Sequence, residues 1–403
     1  MIAVNFDPFA SDFIANPYPV YDSLRAQSPI FWHADSRMWF FTTREDVSTL
    51  LRDRRFGRTL LHIMSRQAAG LPPIRDDLKP FYKLSEHSMF DKEPPEHTRL
   101  KSLVHKVFTP RRVESLRAQI QKITDTLLDA AEARGGMDLL EDFATPLPVT
   151  VIAELLGVPE ADRHHLRPWS QAIVAMYELD HTPEQERRAV QAAIEFSDYL
   201  RQLARERRRN PQNDLITALA QVEEQGDTLS EDELISTCVL LLNAGHEATA
   251  NVIGNGMLAL LHHPAQFDRL RANPALVSTA VEEMMRYDTP LQLFRRWTLE
   301  DVVYKGIELR RGTQIALVFG AANRDPAVFD QPNTFDITRA DNPHISFGGG
   351  VHYCLGAPLA RLELQIAIRT LIERFPTLRL DGPEPEYRPA YVIRGLKAFP
   401  VTW

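Results

Sequence analysis

A mainly α-helical fold with a small β-rich part is what these 403 residues predict. Helical periodicity dominates from about residue 97 to 270, strand-like runs lie apart from it near the chain ends, and one helix is unusually long. Helices in runs with strands segregated from them argue for this mixed but mostly α architecture. In chain order, residues 17–27 suit a short helix, and Ile30–Trp32 with Met38–Thr42 a hairpin-like pair. The long helix spans Ser230 to His263, with Ser230 and Glu233 as a capping-box pattern and Pro264 as the stop. At 1.5 Å per residue it would run about 50 Å. Residues 302–318 read as β, with turns at Gly306 and Gly312, and short strands are expected in the last twenty residues.

Composition narrows the function. A chain of this length can bury a large core and could hold two or three domains, yet it shows no linker, low-complexity run or internal repeat. Two cysteines cannot build a disulfide framework and fit a reducing cytosol. Met1–Asp7 has no basic region followed by an apolar run, so no signal peptide is expected, and no 18-residue apolar segment predicts a membrane span. A net charge of −8 argues against nucleic acid as a partner.

The most informative segment is Phe347-Gly-Gly-Gly-Val-His-Tyr-Cys354-Leu-Gly356. It sets Cys354 in a glycine-rich loop at the mouth of a helix, Ala357 to Phe375, that is apolar on two stripes (Leu359, Leu362, Ile366; Leu364, Ile368, Leu371, Phe375). Such a helix start favours thiolate over thiol. The glycines, Gly348 and Gly356 among them, clear side chains where something flat and bulky must approach the backbone. A lone thiolate in such a loop fits the axial ligand of a haem iron. The bland reading is an inert buried cysteine. Zinc, for which His352 and Cys354 are ligand types, wants about four ligands in paired spacings, and the other cysteine, Cys238, lies far off in an apolar helix.

The loop resembles the haem-ligand signature of the cytochrome P450 superfamily, Phe-Gly-x-Gly-x-His-x-Cys-x-Gly, at every fixed position. The resemblance implies one cytochrome P450 domain over residues 1–403: a helical haem-binding body, haem b, a long central helix over the haem, and Cys354 as the metal ligand. Without an anchor helix the chain looks like a soluble, bacterial-type, cytoplasmic and monomeric member. Asn243-Ala244-Gly245-His246-Glu247-Ala248-Thr249 resembles the family's Ala-Gly-x-(Asp/Glu)-Thr kink, where Ala244 and Gly245 make room for dioxygen and Glu247 relays protons. By itself the segment could be a solvent-facing turn of an amphipathic helix. It departs from the pattern in holding Ala248 where the family has Thr. Thr249 lies about 100° further round, so an ordered water, a substrate hydroxyl or Thr249 must serve instead.

Further landmarks carry further expectations. Glu283 and Arg286, with Arg339 from Phe335-Asp-Ile-Thr-Arg339, match a structural trio expected to hold the loop before Cys354. Alone, Glu283–Arg286 reads as a surface ion pair worth a few tenths of a kcal/mol. His97, Lys101 (where the family has Arg), Arg296 and His352 match the places that hold haem propionates. The substrate pocket is expected to include Asn243, Ala244, Ala248, Leu291, Gln292, Phe294 and Val392, capped by the loop Leu60–Met89. Asn243 could bond a polar group of the substrate or a carbonyl one turn back. Arg99, Lys101, Lys106, Arg111 and Arg112 form a one-sign run: either a solvated face or a patch that steers an acidic partner. Nothing resembles a flavin or iron–sulfur module, so electrons are expected from a ferredoxin or flavodoxin with its reductase. The expected activity is monooxygenation of a small, mostly apolar molecule with O2. A haem-thiolate enzyme that couples, rearranges or uses peroxide stays open because of Ala248, as does a haem-based sensor or carrier.

Overall fold

The computed structural model describes residues 6–224 and 226–403. Most of the N-terminal stretch read above for a leader, residues 1–5, lies outside them. The elements that position the site are, in chain order, β1 (Ile30–His33), β2 (Met38–Phe41), β3 (Phe56–Gly57), α1 (Glu96–Val107), α2 (Leu166–Val174), α3 (Pro183–Arg209), α4 (Glu231–His262), α5 (Val277–Tyr287), β4 (Leu293–Thr298), β5 (Gln314–Val318) and α6 (Ala357–Arg374). No helix of the described residues is long and apolar enough to cross a membrane.

The chain forms two compact units. One comprises the chain through Gly57, Ile120–Leu147 and Ala248–Trp403; the other Arg58–Gln119 and Pro148–Glu247. The first holds a sheet in the order β1-β2-β5-β4-β3. The expected hairpin forms with Ile30 opposite Phe41, and β5 adds in parallel with Ile315 opposite Trp39. Apolar side chains of this sheet, Phe41, Phe56, Ile315 and Leu317, pack with Leu50 and Leu51 of the helix Arg44–Arg52. Residues 302–318 are β as expected, with Gly306 and Gly312 at positive φ. The last twenty residues carry only Pro400–Thr402 as a strand, paired with Gly136–Asp138; the rest is held by isolated bridges and side-chain anchors.

The second unit is helical. Its α3 packs on α2, where Trp169 stacks on Phe196 at 5.2 Å and donates to Glu195. Of the three arginines closing α3, Arg207 is buried. It binds Asp214 at 2.5 Å and the Gly157 carbonyl at 2.8 Å, so it anchors the following loop. The capping box of α4 forms as read: Ser230 Oγ accepts from Glu233 N–H at 3.2 Å, and the Glu233 carboxylate accepts from Ser230 N–H at 2.8 Å. The helix α4 begins in the second unit and continues into the first.

Candidate active site

In the first unit, Cys354 stands three residues before α6 and is partly exposed. Its N–H donates to the Phe347 carbonyl at 3.1 Å, which closes the loop. Gly348 and Gly350 sit at φ +71° and +68°, where other residues are strained. A Cβ on Gly350 would stand 2.2 Å from the Leu51 carbonyl oxygen, so only glycine lets the loop lie on that helix end. Cys238, by contrast, is buried in α4, and burial pushes its thiol up to about 12. The described residues hold no cluster of three or more metal-ligating side chains.

A brace that the sequence did not announce fixes the loop. Arg361, on the second turn of α6, binds Glu282 of α5 through two nitrogens at 2.7 and 2.8 Å. His344 Nε2 lies 2.9 Å from the same carboxylate. The Arg361 guanidinium also covers the Phe347 ring at 4.5 Å. Burial would raise the Glu282 carboxyl, but the bonds from Arg361 and His344 outweigh it and hold it at about 2. Beside this brace is the expected trio. Glu283 and Arg286 are fully buried and paired at 2.7 Å, and Arg286 donates to the carbonyls of Asn323, Pro332 and Thr334. Arg339 lies 3.3 Å from Glu283, which also accepts from Asp336 N–H and Asn342 Nδ2. The pair is therefore an internal clamp on the segment leading to Cys354, unlike a surface pair.

Residues from two distant stretches meet near this loop's unit. Gln292 N–H donates to the Val392 carbonyl at 3.0 Å, and Leu291 bridges Ile393. The Gln292 amide is committed inside the fold, accepting from Tyr21 Oη and donating to the Thr289 carbonyl. Phe294 is half-buried on β4, and its ring lies 4.6 Å from the guanidinium of fully buried Arg296. His352 closes the 3-10 turn Gly350–His352.

The middle of α4 is buried on nearly all sides. From Leu234 to Leu260 only Ala244 and Ala248 are exposed, with Leu240, Leu241 and Gly245 half-exposed beside them. Ala244 and Ala248 are one turn apart and form a stripe of small side chains that a flat apolar group would cover. Thr249 is buried and does not share it. The missing side chain of Gly245 points elsewhere: a Cβ there would meet Ile152 at 3.0 Å, so its size serves helix packing. In the second unit, Asn243 Oδ1 accepts from Ser170 Oγ of α2 at 2.6 Å, and its side chain also bonds Tyr177. Burial and then Asp91 push the Tyr177 phenol up to about 12, against the Asn243 bond and Arg58. His246 Nδ1 lies 3.0 Å from the Leu242 carbonyl and 3.3 Å from Ser170 Oγ, with Nε2 3.6 Å from Glu247 Oε2.

His97 is buried on the first turn of α1, with Lys101 half-buried one turn on. The basic run divides. Arg99 is tied to Glu233 and Asp227, Lys106 donates to the Glu223 carbonyl, and Arg111 stays exposed.

In the first unit, a partly exposed cysteine on a braced glycine loop and the fully buried Arg296 supply donors that fit haem: a soft thiolate for iron and a cation for a carboxylate. The family model for Cytochrome P450 matches residues 75–394, and the chain belongs to that family. It is accordingly a haem b oxidoreductase of the monooxygenase class. It is 41% identical to the biotin biosynthesis cytochrome P450 of Bacillus subtilis and 40% identical to the polyketide biosynthesis cytochrome P450 PksS of the same organism. Each alignment covers 98% of both chains. The solved structure of P450BioI in complex with hexadec-9Z-enoic acid ligated acyl carrier protein superposes with a TM-score of 0.91, at 40% identity over 98% of this chain and 99% of that one.

Proposed function

We propose that this P450 inserts one oxygen atom of O2 into an acyl or polyketide-like chain, free or tethered to a carrier protein, with electrons from a ferredoxin or flavodoxin and its reductase. The observation that carries the oxidative chemistry is the braced Cys354 loop. The substrate class is supported by the relatives, one of which is named for polyketide and one for biotin biosynthesis, and by the fatty-acyl carrier protein in the P450BioI complex. Haem held through a thiolate supplies the activation of O2.

The chain's own residues do the rest. Cys354 would supply the thiolate, and His97, Lys101, Arg296 and His352 would meet the two carboxylates. Ala244 and Ala248 leave room above a flat group, and Glu247 holds a proton beside that stripe. Leu291, Phe294 and Val392 would wall the substrate, with the 60–89 segment as its cover. Of the basic run, Lys106 and Arg111 are exposed and would face an acidic electron donor. Ala248 offers no hydroxyl to the exposed stripe, and this favours a second reading in which the enzyme couples or rearranges its substrate rather than hydroxylating it.

The test is the absorbance of the reduced, CO-bound protein. A strongly red-shifted Soret band is expected for wild type and its loss for Cys354→Ser; retention in the variant would sink the ligand assignment. Titration with tetradecanoic and hexadecanoic acids, free and loaded on an acyl carrier protein, should move the haem spin state. Product analysis with either separates oxygen insertion from coupling.

A further inference from the structure

We infer that His246 is a positioning residue for Glu247, and that the two side chains hold one proton between them. The inference rests on the reading of Glu247 as the proton-delivering acid. It begins with the ring's tautomer. The Leu242 carbonyl, 3.0 Å from Nδ1, can only accept a hydrogen bond, so Nδ1 carries hydrogen. Ser170 agrees: its Oγ donates to Asn243 Oδ1 at 2.6 Å and offers Nδ1–H, 3.3 Å away, a lone pair.

With Nδ1 protonated, Nε2 presents either a lone pair or, in the charged ring, a second N–H. It faces Glu247 Oε2 at 3.6 Å. A neutral ring beside a carboxylate would set lone pair against lone pair and leave a net negative charge where His246 is fully buried and Glu247 nearly so. One proton removes both costs, whether it sits on the ring or on the carboxyl. Tyr177, bonded to Asn243, lies one side chain further off, with Asp91 and Arg58 acting on it.

This pair gives Glu247 a reserve. When the carboxyl passes a proton to water, a neutral ring and a carboxylate remain. The pair refills from solvent water through Glu247, the more exposed of the two. Proton number balances, and no oxidant or reductant is needed. The hydroxyl missing at Ala248 is then not needed to hold the proton in reserve.

The test is long-range 1H–15N spectroscopy of the holoenzyme labelled at histidine nitrogen, in the diamagnetic ferrous CO form. The His246 signals are assigned by their loss in His246→Gln; should that variant fail to bind haem, Ser170→Ala assigns them by a shift. We expect an Nδ1–H tautomer, and a proton affinity at Nε2 that falls at least tenfold in Glu247→Gln. His246→Gln should also lower product formed per reductant consumed and flatten its pH profile. An Nε2–H tautomer, or a titration indifferent to Glu247→Gln, overturns the shared proton. The same samples report the Soret band, so loss of the haem-thiolate reading is recognised separately from loss of this one.

Discussion

Replacing Glu282 by Gln tests whether the brace on the cysteine loop is electrostatic. The substitution keeps the shape but removes the charge that Arg361 and His344 share. Glu282 is held at about 2 against an ordinary carboxylate value near 4.5. Taken at face value, that difference is an upper bound of about 3 kcal/mol. Both side chains keep some water, at 24% exposure for Glu282 and 34% for Arg361, and solvent screening reduces the figure to about 1–2 kcal/mol. The sign follows from the direction. The folded carboxyl is more acidic than the unfolded one, so its stabilisation is present above about pH 4.5 and is lost as pH falls toward 2. Glu282→Gln should therefore lower the thermal midpoint of the haem-loaded protein at pH 7 by about 1–3 °C. The gap to wild type should close between pH 5 and 2. The variant should also give a smaller red-shifted CO band, because Arg361 covers Phe347 of the loop itself. Parallel stability curves for the two proteins over that pH range would refute the reasoning.

Three further outcomes are expected. Glu363 of α6 is buried, its Oε2 meets no hydrogen-bond partner, and burial alone pushes its carboxyl well above the ordinary value. Its cost to folding is absent below about pH 4.5 and grows as pH rises. Glu363→Gln should therefore unfold at higher temperature than wild type at pH 7 and no higher near pH 4. Gly350→Ala should lose far more CO-binding protein than Gly348→Ala. Both force alanine to positive φ, which costs about 1–2 kcal/mol, but only the former meets backbone, at Leu51; equal losses would remove the steric argument. Asn243→Leu strips a partner from Ser170 and from Tyr177. It should cost about 1–3 kcal/mol of stability and weaken polar and apolar ligands alike, as unfolding and ligand-titration curves would show. A loss confined to polar ligands would mean that Asn243 reads the substrate.

Local signals were legible in the sequence and distant pairings were not. The long helix was read to within a residue at each end, because Ser230, Glu233 and Pro264 are local stop and start chemistry. The strand Leu293–Thr298 was not read. Two adjacent arginines break its alternation, and its neighbour β5 belongs to a sheet completed by Trp39–Phe41 from the far end of the chain. Glu283 could be read from its spacing to Arg286, whereas Glu282 beside it could not. Its partners lie 62 and 79 residues away. Ser170, 76 residues before His246, was missed for the same reason. The approach of Ile152, from a neighbouring helix, to Gly245 is likewise a distant pairing that the local motif does not announce.

The contact of Gly350 with the Leu51 backbone bears on how this enzyme can be cut and joined. The family match runs from 75 to 394, yet the floor under the Cys354 loop comes from residue 51, and β1, β2 and β3 all precede residue 75. At the other end, Pro400–Thr402 pairs with Gly136–Asp138. A chimera built on the matched boundaries would discard three of five strands of the main sheet together with the seat of the cysteine turn. An electron-donor domain joined to this chain should therefore leave both margins whole.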